Sequence, residues 1–282
     1  MEQEMGFCCP VCGGKLERRE HAAVCGNGHS FDVARQGYVH LLPPNKMHSK
    51  LPGDSREMVE GRRRFLEAGY YRPFRDELCR LVREYAAKRE SGFRLPEAGV
   101  KIVDAGCGEG YYTGALKEAL PHAEVYGFDI SKLAVKAAAG TYKGISFAVA
   151  SCFSIPLPDR FCDVLTNVFA PIAPGEFARV LKPGGIFLYA VPGERHLFGM
   201  KEILYEKPYE NERKDTEYEG FRFVSRTRVN EDIRIPNAET AEDLFAMTPY
   251  YWKTGVDGGR RLRETKGFST EIAFDFLVYQ RI

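Results

Sequence analysis

The sequence lacks the long apolar run that a membrane-spanning helix needs. No segment of the 282 residues approaches the roughly 20 consecutive apolar residues of such a helix. Residues 1–4 are acidic and precede only a very short apolar stretch, a pattern that a secretory signal peptide does not have. We therefore expect a cytoplasmic protein. Its hydrophobic content of 44% is enough to fill the core of a soluble enzyme.

A strong net charge is also absent. The chain has 40 Lys and Arg residues against 39 Asp and Glu residues, a formal charge of +1 at pH 7. Any surface that binds nucleic acid must therefore be a local patch. One candidate is the segment 46–64, in which basic residues outnumber acidic ones six to three and which contains Arg62, Arg63 and Arg64. A solvated helix face and an RNA phosphate-binding surface are both open interpretations of this segment.

The glycine-rich segment 104–110 (DAGCGEG) lacks the third glycine of a dinucleotide-binding fingerprint. Its glycines are Gly106, Gly108 and Gly110, whereas the fingerprint places the last glycine one residue later, where this chain has Tyr111. The segment follows a short apolar run and precedes a helical pattern, so it predicts a strand-to-helix turn. Glycine leaves the backbone of such a turn bare, which lets a small ligand lie against it. The pattern favours a methyl-donor site over an NAD site.

The residues after this turn predict a parallel sheet. Asp129 ends the next apolar run, where a carboxylate could hold ribose hydroxyls. Later short apolar runs alternate with helix-sized segments, as in an α/β fold, and they comprise residues 145–150, 163–169 and 185–191. The segment 181–185 (LKPGG) is typical of S-adenosylmethionine-dependent methyltransferases. We expect a Rossmann-like class I S-adenosylmethionine-dependent methyltransferase sheet, mostly parallel with an antiparallel last strand, whose final strands cover residues 221–229 and 270–281.

The N-terminal cysteines have the spacing of a zinc site. Cys9 and Cys12 are separated by two residues and followed by two glycines, so they form one candidate pair of metal ligands. Cys25 and His29 form a second pair. These spacings are typical of a tetrahedral structural Zn²⁺ site, and four protein ligands leave no position open for catalysis. Two replacements stay open, Cys8 for Cys9 and His21 for His29, although the two-residue gap and the proximity to Cys25 favour Cys9 and His29. The four later cysteines resemble small core residues.

Motifs along nearly the whole chain resemble those of the RlmA family, the 23S ribosomal RNA guanine-N1 methyltransferases that modify a guanine in a hairpin loop. Besides the zinc motif they are the segments 37–39 (GYV), 52–55 (PGDS), 65–69 (FLEAG), 106–113 (GCGEGYYT) and 192–197 (PGERHL). The resemblance implies zinc ligation by Cys9, Cys12, Cys25 and His29. It also implies donor contacts from Tyr71, Gly108, Glu109 and His196.

With the residues of the turn and the following strand, the predicted S-adenosylmethionine-binding set is Tyr71, Asp104, Gly106, Gly108, Glu109, Gly110, Asp129 and His196. The resemblance further implies an RNA hairpin loop as the substrate and a homodimer as the assembly. Some members of the family are associated with antibiotic resistance, to the macrolide tylosin. The motifs do not assign this chain to either branch of the family, so the guanine that it modifies stays open.

Methylation at guanine N1 requires a proton acceptor, because N1 keeps its proton at neutral pH. A carboxylate, a histidine, or donors that stabilise O6 could meet this need. The end of the fourth predicted strand carries Asn167, Phe169 and Pro171. We expect Phe169 and Pro171 to form the walls of a guanine slot, whereas Asn167 could hold the Watson-Crick edge or serve as a strand-end amide. His196 could be a general base, but the resemblance favours a donor contact.

Three segments make up the predicted chain: a zinc-binding module (1–42), a linker with two helices leading into the core (43–95) and a methyltransferase domain (96–282). We also predict an exposed linker at 43–50, helices at 54–68 and 74–88, and a mobile insertion at 206–219. The stretch 248–252 (TPYYW) is either an acceptor-side lid or, as we favour, aromatic packing.

Two rival functions remain. A small-molecule methyltransferase with a structural zinc module would show no salt-dependent affinity for RNA. A non-catalytic adaptor would not bind the donor, and the intact glycine turn argues against it.

Overall fold

A computed structural model of the protein describes residues 3–43, 53–87, 99–213 and 216–282. Most of the predicted linker at 43–50 lies outside these residues. The described strands are β1 (Gln3–Cys8), β2 (Lys15–Arg19), β3 (Ala22–Cys25), β4 (Ser30–Asp32), β5 (Val39–His40), β6 (Lys101–Ala105), β7 (Glu124–Asp129), β8 (Ile145–Val149), β9 (Cys162–Val168), β10 (Leu181–Pro192), β11 (Phe221–Ile235) and β12 (Phe268–Arg281). The described helices are α1 (Arg56–Glu67), α2 (Arg72–Ala87), α3 (Tyr111–Ala119), α4 (Lys132–Thr141), α5 (Pro174–Val180), α6 (Phe198–Leu204), α7 (Ala238–Ala246), α8 (Tyr250–Lys253) and α9 (Val256–Arg263).

The larger sheet has eight strands in the order β11-β12-β10-β9-β6-β7-β8-β5. Strands β10, β9, β6, β7 and β8 are parallel, and β12 inserts antiparallel between β10 and β11. The central strands are buried along almost their whole length, as expected of parallel strands that helices cover on both faces. This arrangement confirms the predicted fold class.

The last two strands are longer than their sequence pattern suggests. β11 continues to Ile235, past the predicted end at residue 229, and pairs with β12 along the whole of its length. Four of the six residues that extend it are polar and exposed, as an edge strand that pairs on one side only allows, and they are Asn230, Glu231, Asp232 and Arg234. Backbone pairing, which hydrophobic alternation does not reveal, therefore determines where this strand ends.

The first four strands form a separate sheet in the order β1-β2-β3-β4. It packs on the larger sheet through the ring of Phe7, which meets the ring of Tyr126 edge-on at 5.6 Å. Gly6 allows this approach, because an added Cβ would lie 2.6 Å from the Tyr126 hydroxyl oxygen. The chain then enters the larger sheet, where β5 pairs with the outer edge of β8. The division of the chain at residue 42 stays a prediction.

The two helices before β6 lie close to their predicted places. Ser55 caps α1 by accepting a hydrogen bond from the backbone N–H of Met58 at 3.3 Å. In α2, Phe74 is buried between the rings of Phe274 and Phe276, at centroid distances of 4.5 and 4.8 Å. Through this contact α2 packs on the antiparallel end of the sheet. None of the described helices combines the length and hydropathy of a membrane crossing.

The predicted mobile insertion at 206–219 has neither helix nor strand among its described residues. It is nevertheless held in place by the buried Lys201, whose Nζ donates to the carbonyl oxygen of Tyr209 and to Oδ1 of Asn211, both at 2.8 Å. Farther along, the Tyr279 hydroxyl donates to the carbonyl oxygen of Thr216 at 2.9 Å. Side-chain hydrogen bonds, rather than secondary structure, therefore hold this segment. The charge and the lack of periodicity of its sequence could not indicate them.

Candidate functional site

The glycine turn lies where the winding of the parallel sheet reverses. From β6 the chain builds the sheet outward through β7 and β8, and then returns to add β9 and β10 on the other side. The carboxyl ends of β6 and β9 are therefore neighbours, and ligands of open α/β sheets bind at this point. Gly106 has φ +85° and approaches the loop after β9 so closely that an added Cβ would lie 2.3 Å from Cβ of Ala170. Only glycine fits this turn.

Asp104 lies near the end of β6, next to the turn, and its side chain forms hydrogen bonds within the protein. Its two carboxylate oxygens accept hydrogen bonds from the hydroxyls of Thr113 in α3, at 2.6 Å, and Thr166 in β9, at 2.9 Å. Burial raises the pKa of Asp104 to about 6. The side chain thus ties three elements together, while its predicted contact with the donor stays a prediction.

Asp129 ends β7 beside the turn, as predicted. Its Oδ2 accepts a hydrogen bond from the backbone N–H of Gly108 at 3.0 Å, and its Oδ1 accepts one from Ser131 at 2.8 Å. Burial raises the pKa of Asp129, and these backbone hydrogen bonds oppose that effect. The carboxylate is therefore oriented at the turn before any ligand arrives.

An ion pair from α1 joins the site, and the sequence analysis did not identify it. Arg62 Nη1 lies 3.4 Å from Oε2 of the buried Glu109, and Arg62 Nη2 lies 2.6 Å from Oδ2 of Asp54. Burial raises the pKa of Glu109, whereas the Arg62 guanidinium lowers it. A Cβ added to Gly108 would lie 3.4 Å from Arg62 Nη1, so α1 covers the glycine turn.

This pairing also changes the interpretation of the basic segment 46–64. Besides Arg62, Arg63 pairs with Glu67 at 2.7 Å and Arg64 donates to Asp243 Oδ2 at 2.9 Å. Each of the three arginines therefore has a carboxylate partner within the protein, which leaves less positive charge for phosphate. The two lysines of the segment, at positions 46 and 50, lie outside the described residues.

Tyr71 and His196, predicted as donor contacts, are brought together although they are far apart in the chain. The Tyr71 hydroxyl lies 3.4 Å from His196 Nε2. His196 Nδ1 accepts a hydrogen bond from the backbone N–H of Ala273 at 3.3 Å, which assigns the ring proton to Nε2. Burial lowers the pKa of His196 to about 3. The imidazole is therefore neutral near pH 7, and because a ring with so low a pKa holds a proton only weakly, it is disfavoured as a general base.

The predicted acceptor residues divide into two kinds. Asn167 is buried, and its Nδ2 donates to the carbonyl oxygens of Ala105 at 2.9 Å and Pro171 at 3.2 Å, which is the strand-end amide alternative. Phe169 and Pro171 are exposed and remain available as walls of a slot. Phe169 adopts φ +52°, a strained value for an aromatic residue, and stacks on Phe74 at 5.6 Å.

The N-terminal ligand set is assembled in space. One ligand atom from each of Cys9, Cys12, Cys25 and His29 lies within 4.8 Å of all the others. The Sγ atoms of Cys12 and Cys25 are 3.7 Å apart. Two sulfurs bound at about 2.3 Å to one tetrahedral zinc ion lie roughly 3.8 Å apart, so this geometry fits zinc.

The electrostatics at Cys12 also suit a cation. A backbone hydrogen bond from Gly14 is the main cause that lowers the pKa of Cys12 to about 6, which favours the thiolate that zinc requires. Neither Cys8 nor His21 belongs to the cluster among the described residues. The alternatives that these two residues offered are therefore not supported.

The neutral state of His196 predicts a pH dependence of stability. The folded pKa of about 3 is below the ordinary value of 6.5, so the stabilisation is complete above pH 6.5 and is lost as the pH falls below it. We expect the replacement His196→Gln to remove up to about 1.4 kcal/mol per pH unit of this dependence between pH 6 and pH 4. Denaturant unfolding across this range measures it. The exposed His122→Gln is the matched control, and equal slopes for the wild type and His196→Gln would contradict the assignment.

Two family models match the chain in the regions just described. Residues 7–50 match the zinc-ribbon model described as "RlmA, N-terminal", and residues 96–234 match one described as "Methyltransferase domain". The first match contains the assembled cysteine and histidine cluster. The second contains the glycine turn, Asp129 and His196.

Named relatives match large parts of the chain, and the first of them spans both regions at once. The chain is 33% identical over 265 residues to the 23S rRNA (guanine(748)-N(1))-methyltransferase of Streptomyces fradiae, an alignment that covers 92% of this chain and 90% of that protein. It is 39% identical over 205 residues to a protein of Micromonospora griseorubida that carries the provisional name 23S rRNA (guanine-N(1)-)-methyltransferase, covering 70% of this chain and 68% of that one. The chain thus belongs to the RlmA family of 23S rRNA (guanine-N1)-methyltransferases.

Proposed function

We propose that this protein transfers the methyl group of S-adenosylmethionine to N1 of a guanine in a hairpin loop of 23S ribosomal RNA. The observation that carries the proposal is the presence of a complete zinc-ligand cluster and a complete donor turn in one chain that aligns with its named Streptomyces relative over 92% of its length. A homodimer, in which two copies embrace folded RNA, is part of the same proposal.

The donor binds along the carboxyl edge of β6 and β7. The backbone of Gly106, Gly108 and Gly110 approaches it without side chains, and Asp129 lies at the end of β7 to hold ribose hydroxyls. Two acidic residues complete the donor site. Glu109 contacts the donor, and Asp104 supports the glycine turn. The close approach of Gly106 to Ala170, which admits no Cβ, holds the turn in place against the loop after β9.

Tyr71 and His196 hold the donor near the point of transfer. S-adenosylmethionine supplies a methyl group on a positively charged sulfonium sulfur. A protonated imidazole would repel this charge, but burial keeps the pKa of His196 at about 3 and the ring neutral. The pair can therefore contact the donor through hydrogen bonds and aromatic surface without opposing its charge.

The guanine enters between Phe169 and Pro171 at the end of β9. Both residues are exposed, and the strained backbone of Phe169 keeps its ring at this edge rather than in the core. The base must leave its stack to reach the donor, which is easier in a loop than in a duplex. Single-stranded loops are therefore the natural substrate.

The zinc module supplies RNA affinity rather than chemistry. Three thiolates and one imidazole satisfy a tetrahedral ion, so no ligand position is left for a substrate. The metal stabilises a small sheet that buries few large apolar side chains and that could not be stable on apolar burial alone. The division into residues 1–42, 43–95 and 96–282 belongs to this proposal.

The first test is methyl transfer from labelled S-adenosylmethionine to unmodified 23S RNA fragments. Methylation at N1 blocks base pairing, so reverse transcription should stop at one hairpin-loop guanine. Gly108→Val should abolish donor binding in calorimetry and hence the stop, because the side chain would enter the donor site and force the left-handed φ of +54° on a β-branched residue. Gly140→Val is the matched control, since nothing lies within 4 Å of a Cβ added there.

The outcomes of this test separate the rival functions. Donor binding without transfer to RNA would favour a methyltransferase of small molecules. If S-adenosylmethionine failed to raise the melting temperature of the wild type, an adaptor without catalysis would be favoured.

The second test concerns the zinc module. Cys12→Ser should release the metal and weaken RNA binding by on the order of tenfold while donor affinity stays near the wild-type value, because the cluster is separate from the donor turn. Metal content, RNA anisotropy and donor calorimetry measure these three quantities. Cys8→Ser, next to the cluster but outside it, is the matched control. Unchanged RNA affinity in metal-free protein would show that the module has no part in RNA binding.

A further inference from the structure

We infer that the segment of α8 and α9 is an RNA-binding surface, in which Trp252 stacks on an unpaired base and the neighbouring cations bind phosphates flanking the target guanine. This inference rests on the proposed function and extends it to a surface that the donor and acceptor sites do not include. We call residues 250–266 the aromatic-basic patch.

Topology brings this patch to the edge of the sheet where the donor turn lies. β10 and β11 both pair antiparallel with β12, so they run in the same direction. β11 therefore ends at the edge where β6 and β9 end, and the connection from β11 to β12, which contains α7, α8 and α9, begins there. The ion pair between Arg64 and Asp243 holds α7 against α1, whose Arg62 reaches Glu109 at the donor turn.

Aromatic packing, the interpretation favoured from the sequence, accounts for only part of the patch. Tyr250 is buried, but Trp252 is 71% exposed and Tyr251 is 44% exposed. The Tyr251 ring packs against Phe245 at 5.4 Å and meets the Trp252 ring edge-on at 5.0 Å. Trp252 is thus supported from within the protein while most of its surface faces solvent. In proteins that bind single-stranded nucleic acid, exposed aromatic rings next to cations serve as stacking platforms for bases.

The patch also carries exposed cations, unlike the arginine run 62–64 of α1, whose members each have a carboxylate partner. Its sequence has five basic residues and two acidic ones. Two of the arginines have internal partners, since Arg260 pairs with Asp257 at 3.0 Å and Arg261 donates to the carbonyl oxygen of Ile203 at 2.8 Å. The remaining three, for which the described part of the chain shows no salt bridge, are exposed, and they are Lys253, Arg263 and Lys266.

Together these features indicate single-stranded RNA as the occupant. The whole molecule has a formal charge of only +1. A local excess of three positive charges beside exposed aromatic rings therefore distinguishes this patch from the protein as a whole. The cations can bind RNA phosphates, and the accessible ring can stack on an unpaired base. A hairpin loop offers both next to a guanine that must leave its stack.

The protein contains its own probe for this inference, because Trp252 is its only tryptophan. Indole fluorescence therefore reports on this position alone. Titration with a 23S RNA hairpin that contains the target loop should quench the fluorescence at the same concentrations at which RNA anisotropy rises. A fully paired duplex with the same stem should bind without that quenching. Quenching by the duplex alone, or binding of the hairpin without quenching, would overturn the inference.

Substitutions test the same surface during turnover. Trp252→Ala should raise the KM for RNA by about tenfold, the typical effect of one lost stacking contact, with kcat and the donor Kd unchanged. Trp252→Phe, which keeps an aromatic ring, should restore most of the loss. Phe223→Ala is the matched control, since Phe223 is 52% exposed and lies near the start of β11, at the opposite end of the strand from the patch.

The cations have a separate readout in the salt dependence of RNA binding. Lys253→Ala combined with Arg263→Ala should reduce the slope of log K against log salt by about 1.4, because each contact with a single-stranded phosphate contributes about 0.7. Arg222→Ala, at the start of β11, is the control. An unchanged slope would contradict the assignment of these two cations.

Failure of this inference differs from failure of the proposed function. If the wild type methylates the loop guanine and the Trp252→Ala variant does so with the same KM, the surface is wrong and the function stands. If the wild type methylates no RNA, the proposed function fails first. Fluorescence that changes with protein concentration in the absence of RNA would show that a second copy covers Trp252, which would also overturn the inference.

Discussion

The buried carboxylate of Asp104 is the constraint on which the glycine turn depends. Taking a carboxylate out of water is costly unless hydrogen bonds compensate for it, and here two threonine hydroxyls do so from α3 and β9. These hydroxyls can reach the carboxylate only while β6, β9 and the start of α3 keep their present spacing. The glycine turn next to Asp104 is therefore held in place by contacts with α3 and β9.

Charge around the turn follows from this arrangement. Asp104, Glu109 and Asp129 concentrate acidity at one edge of the sheet, which suits a cationic donor but repels phosphate. Arg62 offsets part of that charge by pairing with Glu109 and Asp54. RNA must approach the same edge, so its phosphates need positive charge at a distance from these carboxylates. The proposed RNA surface on α8 and α9 offers exposed cations of this kind, whereas the arginine run 62–64 of α1 is paired within the protein.

The features that were predictable from the sequence are those that depend on the spacing of residues close together in the chain. The glycine turn, the acid at the end of β7 and the order of apolar runs predict the sheet, and the cysteine spacing predicts a cluster whose ligand atoms meet in the fold. It was not predictable which residues far apart in the sequence would pair with one another. Arg62 and Glu109 are 47 positions apart, and the amide of Asn167 is directed at backbone carbonyls that no local pattern identifies. Such contacts depend on how elements pack, which sequence periodicity does not encode.

The zinc module couples the metal cluster to the larger sheet. Its small sheet meets the larger one through Phe7 and Gly6 against Tyr126, a contact that requires the left-handed backbone of Gly6, with φ +76°, to be held in place. Zinc joins the knuckle at Cys9 and Cys12 to the second pair at Cys25 and His29, and so ties the end of β1 to the end of β3. Without the metal, the ordering of β1 would depend on few apolar contacts, and the docking on Tyr126 would weaken. Through this docking contact, a metal ion at the cluster can influence the larger sheet, although its ligands lie outside the glycine turn.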